Sequence, residues 1–224
     1  METLQSTYRP RVKVCGTTRL VDAELACALG ADALGFIFYR KSPRCIGTRE
    51  AARIIELLPL FVDRVGVFVN ASLEDLEKAV HVGLSVIQLH GDESVQKCET
   101  IRRRFPHCRI IKAFRVGKQS SMLEFLPYND CVDCFLLDTY VQGAKGGTGE
   151  VFDWSIIERL QFRRPIILAG GLSPKNIQEA IEQVRPYGVD VNSGVEVEPG
   201  VKDHALLRRL MQLVAQSVAS RNPG

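Results

Sequence analysis

Eight short apolar segments recur along the chain, and each is followed by a segment with the residue spacing of an amphipathic helix. The apolar segments are rich in β-branched and aliphatic residues and read as near-continuous runs, which is typical of parallel strands covered on both faces. An alternation of this kind predicts an α/β protein. The predicted strands are Val12–Cys15, Ala33–Phe38, Arg64–Val69, Val86–Leu89, Ile110–Phe114, Cys134–Asp138, Pro165–Ala169 and Val189–Val191.

Capping residues and apolar spacing predict where the helices lie. Ser72, Ser173 and Asp203 stand at the positions expected for helix N-caps. The last helix is predicted over Asp203–Val218. The fifth helix, near Ser121–Leu126, is the weakest element, because the proline that follows it cannot continue a helix.

The length of the chain favours one closed barrel. Eight strand–helix units in 224 residues leave about 28 residues for each, which suits a compact βαβ repeat. A (β/α)8 barrel accommodates eight parallel strands without a free edge, whereas an open doubly wound sheet of this length usually has fewer strands. No linker divides the chain, so residues 1–224 are predicted to form a single barrel domain. Residues 1–10 would be a polar N-terminal extension and residues 220–224 a flexible tail.

Composition predicts a cytoplasmic protein that binds neither nucleic acid nor membrane. The net charge of +3 is too small to indicate a nucleic-acid partner. The Arg102–Arg104 cluster is better explained by a helix C-terminus, where cations are favourable. The first ten residues lack a secretory signal, and no segment has the ~20 apolar residues that cross a bilayer. Seven scattered cysteines are typical of reduced thiols.

Polar residues and glycines follow each predicted strand, where a barrel of this kind has its active site. A thiol, a histidine and a carboxyl group are among them, so the ring carries side chains suited to acid–base chemistry. The sequence therefore predicts an active site at these strand ends. The strand-end positions are Cys15–Gly16, Tyr39, Asn70, His90–Gly91, Arg115, Asp138–Thr139, Gly170–Gly171 and Asn192–Gly194.

Glycines after the last strands are candidates for binding a phosphate. Gly170 and Gly171 follow the seventh strand and lead into a predicted helix start, while Ser193 and Gly194 follow the eighth. Glycine lets backbone N–H groups approach an anion, and barrels often bind phosphate at these two loops. Gly147, in the glycine-rich segment after the sixth strand, is a further candidate. Ordinary tight turns are the alternative for the glycines after the seventh and eighth strands. The segment that contains Gly147 is either a flexible loop that closes over substrate or an unstructured surface loop. No nucleotide or dinucleotide phosphate-binding motif is present.

Cys15 and Asp138 are the candidate catalytic residues. Cys15 ends the first strand, so its thiol is held by a rigid element at the edge of a cavity. Asp138 ends the sixth strand on the same side as Leu136, where burial would favour the protonated carboxyl form of a general acid. An ion pair between Asp138 and Lys112 of the neighbouring strand is an equally good interpretation.

The remaining cysteines do not predict a metal site. Cys131 and Cys134 have the spacing of a metal or redox pair, but one pair without a second is weak evidence. Cys98, His107 and Cys108 belong to different elements, and their spacing does not repeat. No metal is therefore expected.

The ordered motifs along the chain resemble those of the phosphoribosylanthranilate isomerase family, which contains barrel enzymes of tryptophan biosynthesis. The resemblance runs through nearly the whole chain. The matching segments are Val12–Thr18, Gly30–Tyr39, Lys41–Arg44, Val65–Asn70, Gln88–Glu93, Leu136–Thr139, Gly146–Gly149, Phe152–Trp154, Ala169–Leu172, Asp190–Glu196 and Pro199–Asp203.

This resemblance implies an Amadori rearrangement of N-phosphoribosylated anthranilate, a small-molecule substrate, without a cofactor or metal. It maps the general base onto Cys15 and the general acid onto Asp138. Arg44 would meet the anthranilate carboxylate and Asp190 a sugar hydroxyl, and His90 is expected to line the pocket. Members of the family occur as monomers and as homodimers, so either state is expected here.

Two other functions stay open. One is another phosphosugar barrel, either an epimerase or the isomerase that serves both histidine and tryptophan synthesis. Cysteine at position 15 argues against that dual isomerase, whose family uses two aspartates. The other is a catalytically silent barrel that binds phosphate or senses oxidation through cysteine. Competent groups at both Cys15 and Asp138 weaken that second alternative.

Overall fold

The structure, a computed structural model, describes residues 8–139 and 154–219. Eight parallel strands pair in chain order, and β1 also pairs with β8, so the sheet closes into a barrel. The predicted fold class is therefore confirmed. The strands are β1 Arg11–Val14, β2 Ala33–Ile37, β3 Asp63–Phe68, β4 Val86–Leu89, β5 Arg109–Arg115, β6 Cys134–Asp138, β7 Ile166–Ala169 and β8 Gly188–Val191.

Helices follow the strands and cover the outside of the barrel. A short antiparallel hairpin, β9 Glu196–Glu198 and β10 Val201–Lys202, follows β8. Within the described ranges, no helix is long and apolar enough to cross a membrane. The helices are α1 Leu20–Ala28, α2 Thr48–Ile55, α3 Leu73–Val80, α4 Val95–Arg104, α5 Met122–Phe125, α6 Ser155–Arg159, α7 Ile177–Val184 and α8 His204–Ala219.

The predicted boundaries of all eight barrel strands are confirmed to within one residue at each end. The last helix begins and ends one residue later than predicted. The predicted extension over residues 1–10 is described only at residues 8–10, and the predicted tail over residues 220–224 lies outside the described residues.

Two of the three predicted N-caps are confirmed. The Ser72 hydroxyl accepts a hydrogen bond from the Asp75 N–H at 3.1 Å, and the Asp203 carboxylate accepts from two N–H groups of α8. The cap predicted at Ser173 is wrong, because α7 begins only at Ile177. The Asn176 side chain accepts from the Ser173 N–H at 2.9 Å, so these residues form a turn before the helix.

The fifth helix is short, as predicted, and an aromatic cluster fixes it to the barrel. Only four residues are α-helical, and a 3-10 turn over Leu126–Tyr128 continues the segment. The Phe125 ring lies edge-to-face with Phe114 of β5 at 4.8 Å and with Phe162 at 5.0 Å between ring centroids. Such a helix is too short to be stable alone, so this packing must stabilise it.

Alternation along the strands separates an outer core from the barrel interior. Val12 and Val14 of β1 join the large core between strands and helices, whereas Lys13 is not part of that core. Leu136 of β6 belongs to a second apolar cluster, which fills the lower interior. Because side chains alternate between faces, Lys13 shares the inner face of β1 with Cys15, and Asp138 shares that of β6 with Leu136. Cys15 and Asp138 thus lie above the apolar cluster that fills the lower interior of the barrel.

Candidate active site

A cavity of about 440 Å³ opens at the carboxyl ends of the strands. The structure brings nine of the ten predicted site residues together in its lining. The tenth, Gly147, lies outside the described residues. The nine are Cys15, Arg44, His90, Asp138, Gly170, Gly171, Asp190, Ser193 and Gly194.

Cys15 is buried immediately beyond β1, and its backbone is bonded on both sides. Its N–H donates to Val191 O at 2.8 Å, and its carbonyl accepts from the Lys202 ammonium at 2.5 Å. The thiol lies over Gly35, where an added Cβ atom would come within 2.8 Å of Sγ. Sequence and packing therefore fix the thiol in one place.

Burial raises the pKa of the Cys15 thiol above its ordinary value, and the charge of Asp190 raises this pKa further. Lys13 and Lys202 act in the opposite direction, since each cation favours the thiolate. The thiol form is therefore favoured at neutral pH. A further positive charge beside the thiol would be needed to favour the thiolate.

A buried ion pair joins Lys13 of β1 to Asp190 of β8, with 2.8 Å between Nζ and Oδ2. Burial lowers the pKa of Lys13, but the charges of Asp190 and Cys15 outweigh this effect, and the pKa is raised overall. Asp190 Oδ1 is buried and accepts no hydrogen bond within residues 8–139 and 154–219. Because a buried acceptor without a partner is costly, this atom is suited to receive a ligand hydroxyl.

Asp138 lies opposite His90 in the cavity, with 3.6 Å between Oδ2 and His90 Nε2. The other ring nitrogen, Nδ1, lies 3.1 Å from the Gln88 side-chain nitrogen. Gln88 thus contacts the Nδ1 edge of the His90 ring, and the Nε2 edge faces Asp138.

The predicted ion pair between Asp138 and Lys112 is wrong. Lys112 Nζ lies 3.2 Å from a Glu93 carboxylate oxygen and donates to Gly91 O at 2.7 Å. Both partners come from the loop after β4, which lies beside the end of β5. Lys112 is therefore a structural cation that ties this loop to the barrel.

The glycine loops after β7 and β8 pack directly on each other. Gly170 and Gly171 have φ angles of +95° and +65°, in the left-handed region that glycine adopts without strain. A Cβ atom at Gly194 would meet Leu172 O at 2.0 Å, so only glycine allows this approach. Because α7 begins at Ile177, the predicted contribution of its N-terminus at Ser173 is not found. The candidate phosphate donors are the backbone N–H groups of the loops themselves.

Arg44 lies at the edge of the cavity, where Glu196 holds its guanidinium group. Arg44 Nε and Nη2 lie 2.9 and 2.6 Å from Glu196 Oε2. Lys202 Nζ donates to Glu196 Oε1 at 2.9 Å. Burial raises the pKa of Glu196, but hydrogen bonds and charge from Arg44 and Lys202 lower it overall.

Four polar residues that form part of the site or contact it were not predicted from the sequence. Lys13 and Gln88 each lie two residues before a predicted site residue, so strand alternation alone would place them on the same inner face. Glu196 and Lys202 reach the site from the β9–β10 hairpin, which is distant in sequence, and no local sequence pattern predicts their contacts. The four residues are Lys13, Gln88, Glu196 and Lys202.

The cysteines outside the cavity show no arrangement for metal binding. Cys131 and Cys134 are both buried, and burial raises the pKa of Cys134 to about 12. A thiol with such a pKa is inert as a nucleophile at neutral pH. Among the residues described, no group of three or more His, Cys, Asp or Glu side chains is placed to hold a metal ion.

The model of the N-(5'-phosphoribosyl)anthranilate isomerase family matches residues 12–213 of the chain. The chain belongs to this family. An N-(5'-phosphoribosyl)anthranilate isomerase from Pseudomonas fluorescens is 48% identical over 208 residues, which cover 92% of this chain and 96% of the relative.

Solved phosphoribosylanthranilate isomerase structures share the barrel. The structure from Thermotoga maritima has a TM-score of 0.82 and 43% identity, covering 92% of this chain and 99% of that one. Another was solved in complex with reduced 1-(o-carboxyphenylamino)-1-deoxyribulose 5-phosphate. It has a TM-score of 0.79 and 40% identity, with the same coverage. Membership of the family makes the chain an isomerase.

Proposed function

We propose that the protein is a phosphoribosylanthranilate isomerase of tryptophan biosynthesis, in which Asp138 is the general acid and Cys15 the general base. The reaction converts N-(5'-phosphoribosyl)anthranilate, an aminoaldose, into the corresponding 1-amino-1-deoxyribulose. One observation carries this proposal: a buried thiol and a carboxyl group line one cavity. They come from β1 and β6, which β7 and β8 separate around the barrel.

Asp138 would begin the reaction by giving its proton to the ring oxygen of the ribose. The C1′–O bond then breaks, and the anilino nitrogen supplies the electron pair that forms the C1′=N bond. The product of this step is an open-chain, protonated Schiff base with a free hydroxyl at C4′. His90 would orient the carboxyl group through the polar contact between its Nε2 atom and Asp138 Oδ2, which are 3.6 Å apart.

Cys15 would then remove the proton from C2′. The electron pair of that C–H bond forms a C1′=C2′ double bond, and the C1′=N electrons return to nitrogen, which gives an enolamine. Proton return to C1′ and loss of the C2′ hydroxyl proton yield the ketone. The iminium is the electron sink for this step, so the chemistry balances with the residues present and a cofactor is not required.

The raised pKa of the Cys15 thiol fits a base that becomes active only when substrate is bound. The protonated Schiff base would add a positive charge beside Sγ. Like the charges of Lys13 and Lys202, it would lower the pKa of the thiol. Proton transfer, and no covalent bond between sulfur and carbon, is therefore the role proposed for Cys15. Mass spectrometry tests this role, because a trapped substrate adduct on Cys15 would contradict it.

Substrate binding would use the remaining residues of the lining. Arg44 would bind the anthranilate carboxylate and Asp190 a ribose hydroxyl through its open Oδ1 atom. The phosphate would meet backbone N–H groups at Gly170, Gly171, Ser193 and Gly194, with Gly147 as a further contact. This assignment gives a role to each of the ten residues that the sequence predicted for the site.

The proposed function also bears on the partners, the location and the oligomeric state of the protein. The partner is a small molecule, and neither nucleic acid nor a membrane is expected as a partner. A cytoplasmic location and a monomeric or homodimeric state stay predictions.

Expression of the chain in a tryptophan auxotroph that lacks only this isomerase tests the function. We expect growth without tryptophan from the wild-type gene, and no growth from Cys15→Ala or Asp138→Asn. Both variants should still bind the reduced product analogue, because neither change removes the carboxylate or phosphate contacts. Failure of soluble wild-type protein to restore growth would refute the assignment. Substantial turnover by Cys15→Ala would place the base elsewhere.

A further inference from the structure

Arg44, Glu196 and Lys202 form a charge cluster between the loop after β2 and the β9–β10 hairpin. The Glu196 and Lys202 side chains are 3% and 0% exposed, and that of Arg44 is 19% exposed. A carboxylate is therefore buried between two cations. Arg44 and Lys202 contact the same carboxylate, and these two cations would repel each other without it, so the anion is what keeps Arg44 beside Lys202.

Glu196 occupies only one edge of the Arg44 guanidinium group. Its two oxygens lie 2.9–3.0 Å from Nε, and Oε2 lies 2.6 Å from Nη2. The group has five N–H donors, so the opposite edge, formed by Nη1 and the second Nη2 hydrogen, is left for another anion. Arg44 Nη1 makes no hydrogen bond within the described parts of the chain. Two parallel N–H donors at one edge fit a carboxylate.

The same cluster is anchored to the strand end that carries the thiol. Lys202 Nζ donates to Glu196 Oε1, to Asn192 Oδ1 at 3.2 Å and to the Cys15 carbonyl. Gly16 brings the Arg44 side chain to the same place, since a Cβ atom there would meet Arg44 Cδ at 2.8 Å. Glu196 thus fixes the guanidinium relative to Cys15, and not only relative to its own loop.

We infer that Glu196 is a positioning residue that makes the site specific for substrates with a carboxylate on the aryl ring, by presenting the free edge of Arg44 to that carboxylate. This inference rests on the proposed function, in which Arg44 binds the anthranilate carboxylate. Arg44 alone, on an exposed loop, would have many side-chain conformations to lose on binding. Because Glu196 holds the Arg44 side chain, the guanidinium group is already oriented before binding. Only a ligand with an anion that fits its free edge binds more tightly as a result.

The test compares two probes on the same protein. One is the reduced 1-(o-carboxyphenylamino)-1-deoxyribulose 5-phosphate, and the other is the same compound made from aniline, which lacks the carboxylate. Their dissociation constants, measured by calorimetry, give a discrimination ratio. The protein variants are Glu196→Gln, Arg44→Ala and, as a matched control, Glu198→Gln, which changes an exposed glutamate of the same short strand.

We expect the wild-type protein and Glu198→Gln to bind the carboxylated probe about 10–100 times more tightly than its analogue, as a charged bidentate contact implies. Glu196→Gln should lower this ratio about tenfold while changing binding of the carboxyl-free probe by less than about twofold. A neutral amide of the same shape removes the charge between Arg44 and Lys202. A merely structural role for Glu196 would weaken both probes alike, and that result would overturn the inference.

Arg44→Ala distinguishes the positioning role of Glu196 from the carboxylate-binding role of Arg44. If it abolishes discrimination but Glu196→Gln does not, the positioning role is wrong and the role of Arg44 stands. If Arg44→Ala leaves discrimination intact, both are wrong. Should Glu196→Gln fail to fold, Glu196→Asp decides: it keeps the charge that Lys202 requires but is one methylene shorter. A ratio as high in Glu196→Asp as in the wild-type protein would then overturn the inference.

Discussion

Lys13 Nζ lies 2.8 Å from Asp190 Oδ2 inside the barrel, and the pair lies beside the Cys15 thiol. Both side chains are at least nine-tenths buried, so neither charge is solvated by bulk water. Asp190 raises the pKa of Cys15 and Lys13 lowers it. The pair therefore influences the charge at the thiol, and it leaves the second Asp190 oxygen, Oδ1, for a ligand hydroxyl.

Replacing Lys13 with methionine should make Cys15 less reactive. The cation that favours the thiolate is lost, while the burial and the Asp190 charge that oppose it remain, so the pKa of the thiol rises further. The rate of iodoacetamide alkylation of Cys15, followed by mass spectrometry against pH, should move to higher pH. Lys118→Met, at an exposed lysine, should leave the profile in place. A profile that does not move in Lys13→Met would show that Lys13 has no influence on the thiol.

The same substitution should destabilise the barrel, because it leaves Asp190 as a buried charge without its partner. Breaking one side of such a pair costs about 3–5 kcal/mol of unfolding free energy. Lys13→Met combined with Asp190→Asn should recover much of that loss, since the isolated charge is then gone. Urea unfolding of the two single variants and the double variant measures the coupling. Additive losses would mean that the pair contributes no interaction energy.

Gly35→Ala should reduce turnover without unfolding the protein. An added Cβ atom would lie 2.8 Å from Cys15 Sγ and 3.1 Å from Lys13 Nζ, so the thiol or the lysine must move. Displacement of a reacting group by about 1 Å can cost roughly 100-fold in rate. Gly117→Ala is the matched control, because a Cβ atom there meets nothing within 4 Å. Equal kcat/KM values for the two variants would show that the site tolerates a displaced thiol.

The strands could be predicted from the sequence because a strand that is buried on both faces has a continuous run of apolar residues. Cys15 and Asp138 could be placed in one cavity for a related reason, since strand ends of a closed barrel converge whatever the loops do. The helix start at Ser173 could not, because Asn176 is also a capping residue, and its side chain accepts from the Ser173 N–H in a turn before the helix. Local competition of that kind is decided by geometry, and two capping residues three positions apart are ambiguous in sequence.

The charge partners were the least predictable part of the site. Lys112 is adjacent to Asp138 in strand order, yet it bonds to the loop after β4, whose path the sequence does not specify. Glu196 is 152 residues from Arg44 along the chain. A pattern of residue types records burial and turns, but it does not record which cation meets which anion across the barrel. Such pairs depend on tertiary contacts alone.

Phe125→Ala should lower the free energy of unfolding by about 3–5 kcal/mol, the range for removing a large aromatic side chain from a packed core. Phe125 is fully buried among Phe114, Phe135 and Phe162, and it fixes a helix of only four residues. Leu123→Ala, at a residue of the same helix that is 77% exposed, should change stability by less than about 0.5 kcal/mol. Chemical denaturation compares the two variants. Similar losses in both would mean that helix propensity, and not the aromatic cluster, stabilises this segment.

Asp32→Asn should destabilise the protein at neutral pH, and the difference from the wild type should vanish in acid. Asp32 accepts hydrogen bonds from the Val12 N–H and the Arg11 guanidinium, both at 2.8 Å, and from Arg9. Burial raises the pKa of Asp32, but these donors and charges outweigh it and lower the pKa below 3.8. A lowered pKa means that the folded state favours the carboxylate. This stabilisation is fully present above the unfolded value and is lost as pH falls through the folded value.

The expected loss in Asp32→Asn at pH 7 is about 1–2 kcal/mol, since hydrogen bonds to a charged group are strong but the arginines here are partly exposed. Urea unfolding of both proteins from pH 7 down to pH 2 measures the difference, which should stay constant above pH 5 and shrink below the ordinary aspartate pKa of 3.8. Asp130→Asn, at an exposed carboxylate, controls for the change in net charge. A difference that persists undiminished at the lowest pH would show that Asp32 stabilises the barrel through hydrogen bonds that do not need its charge.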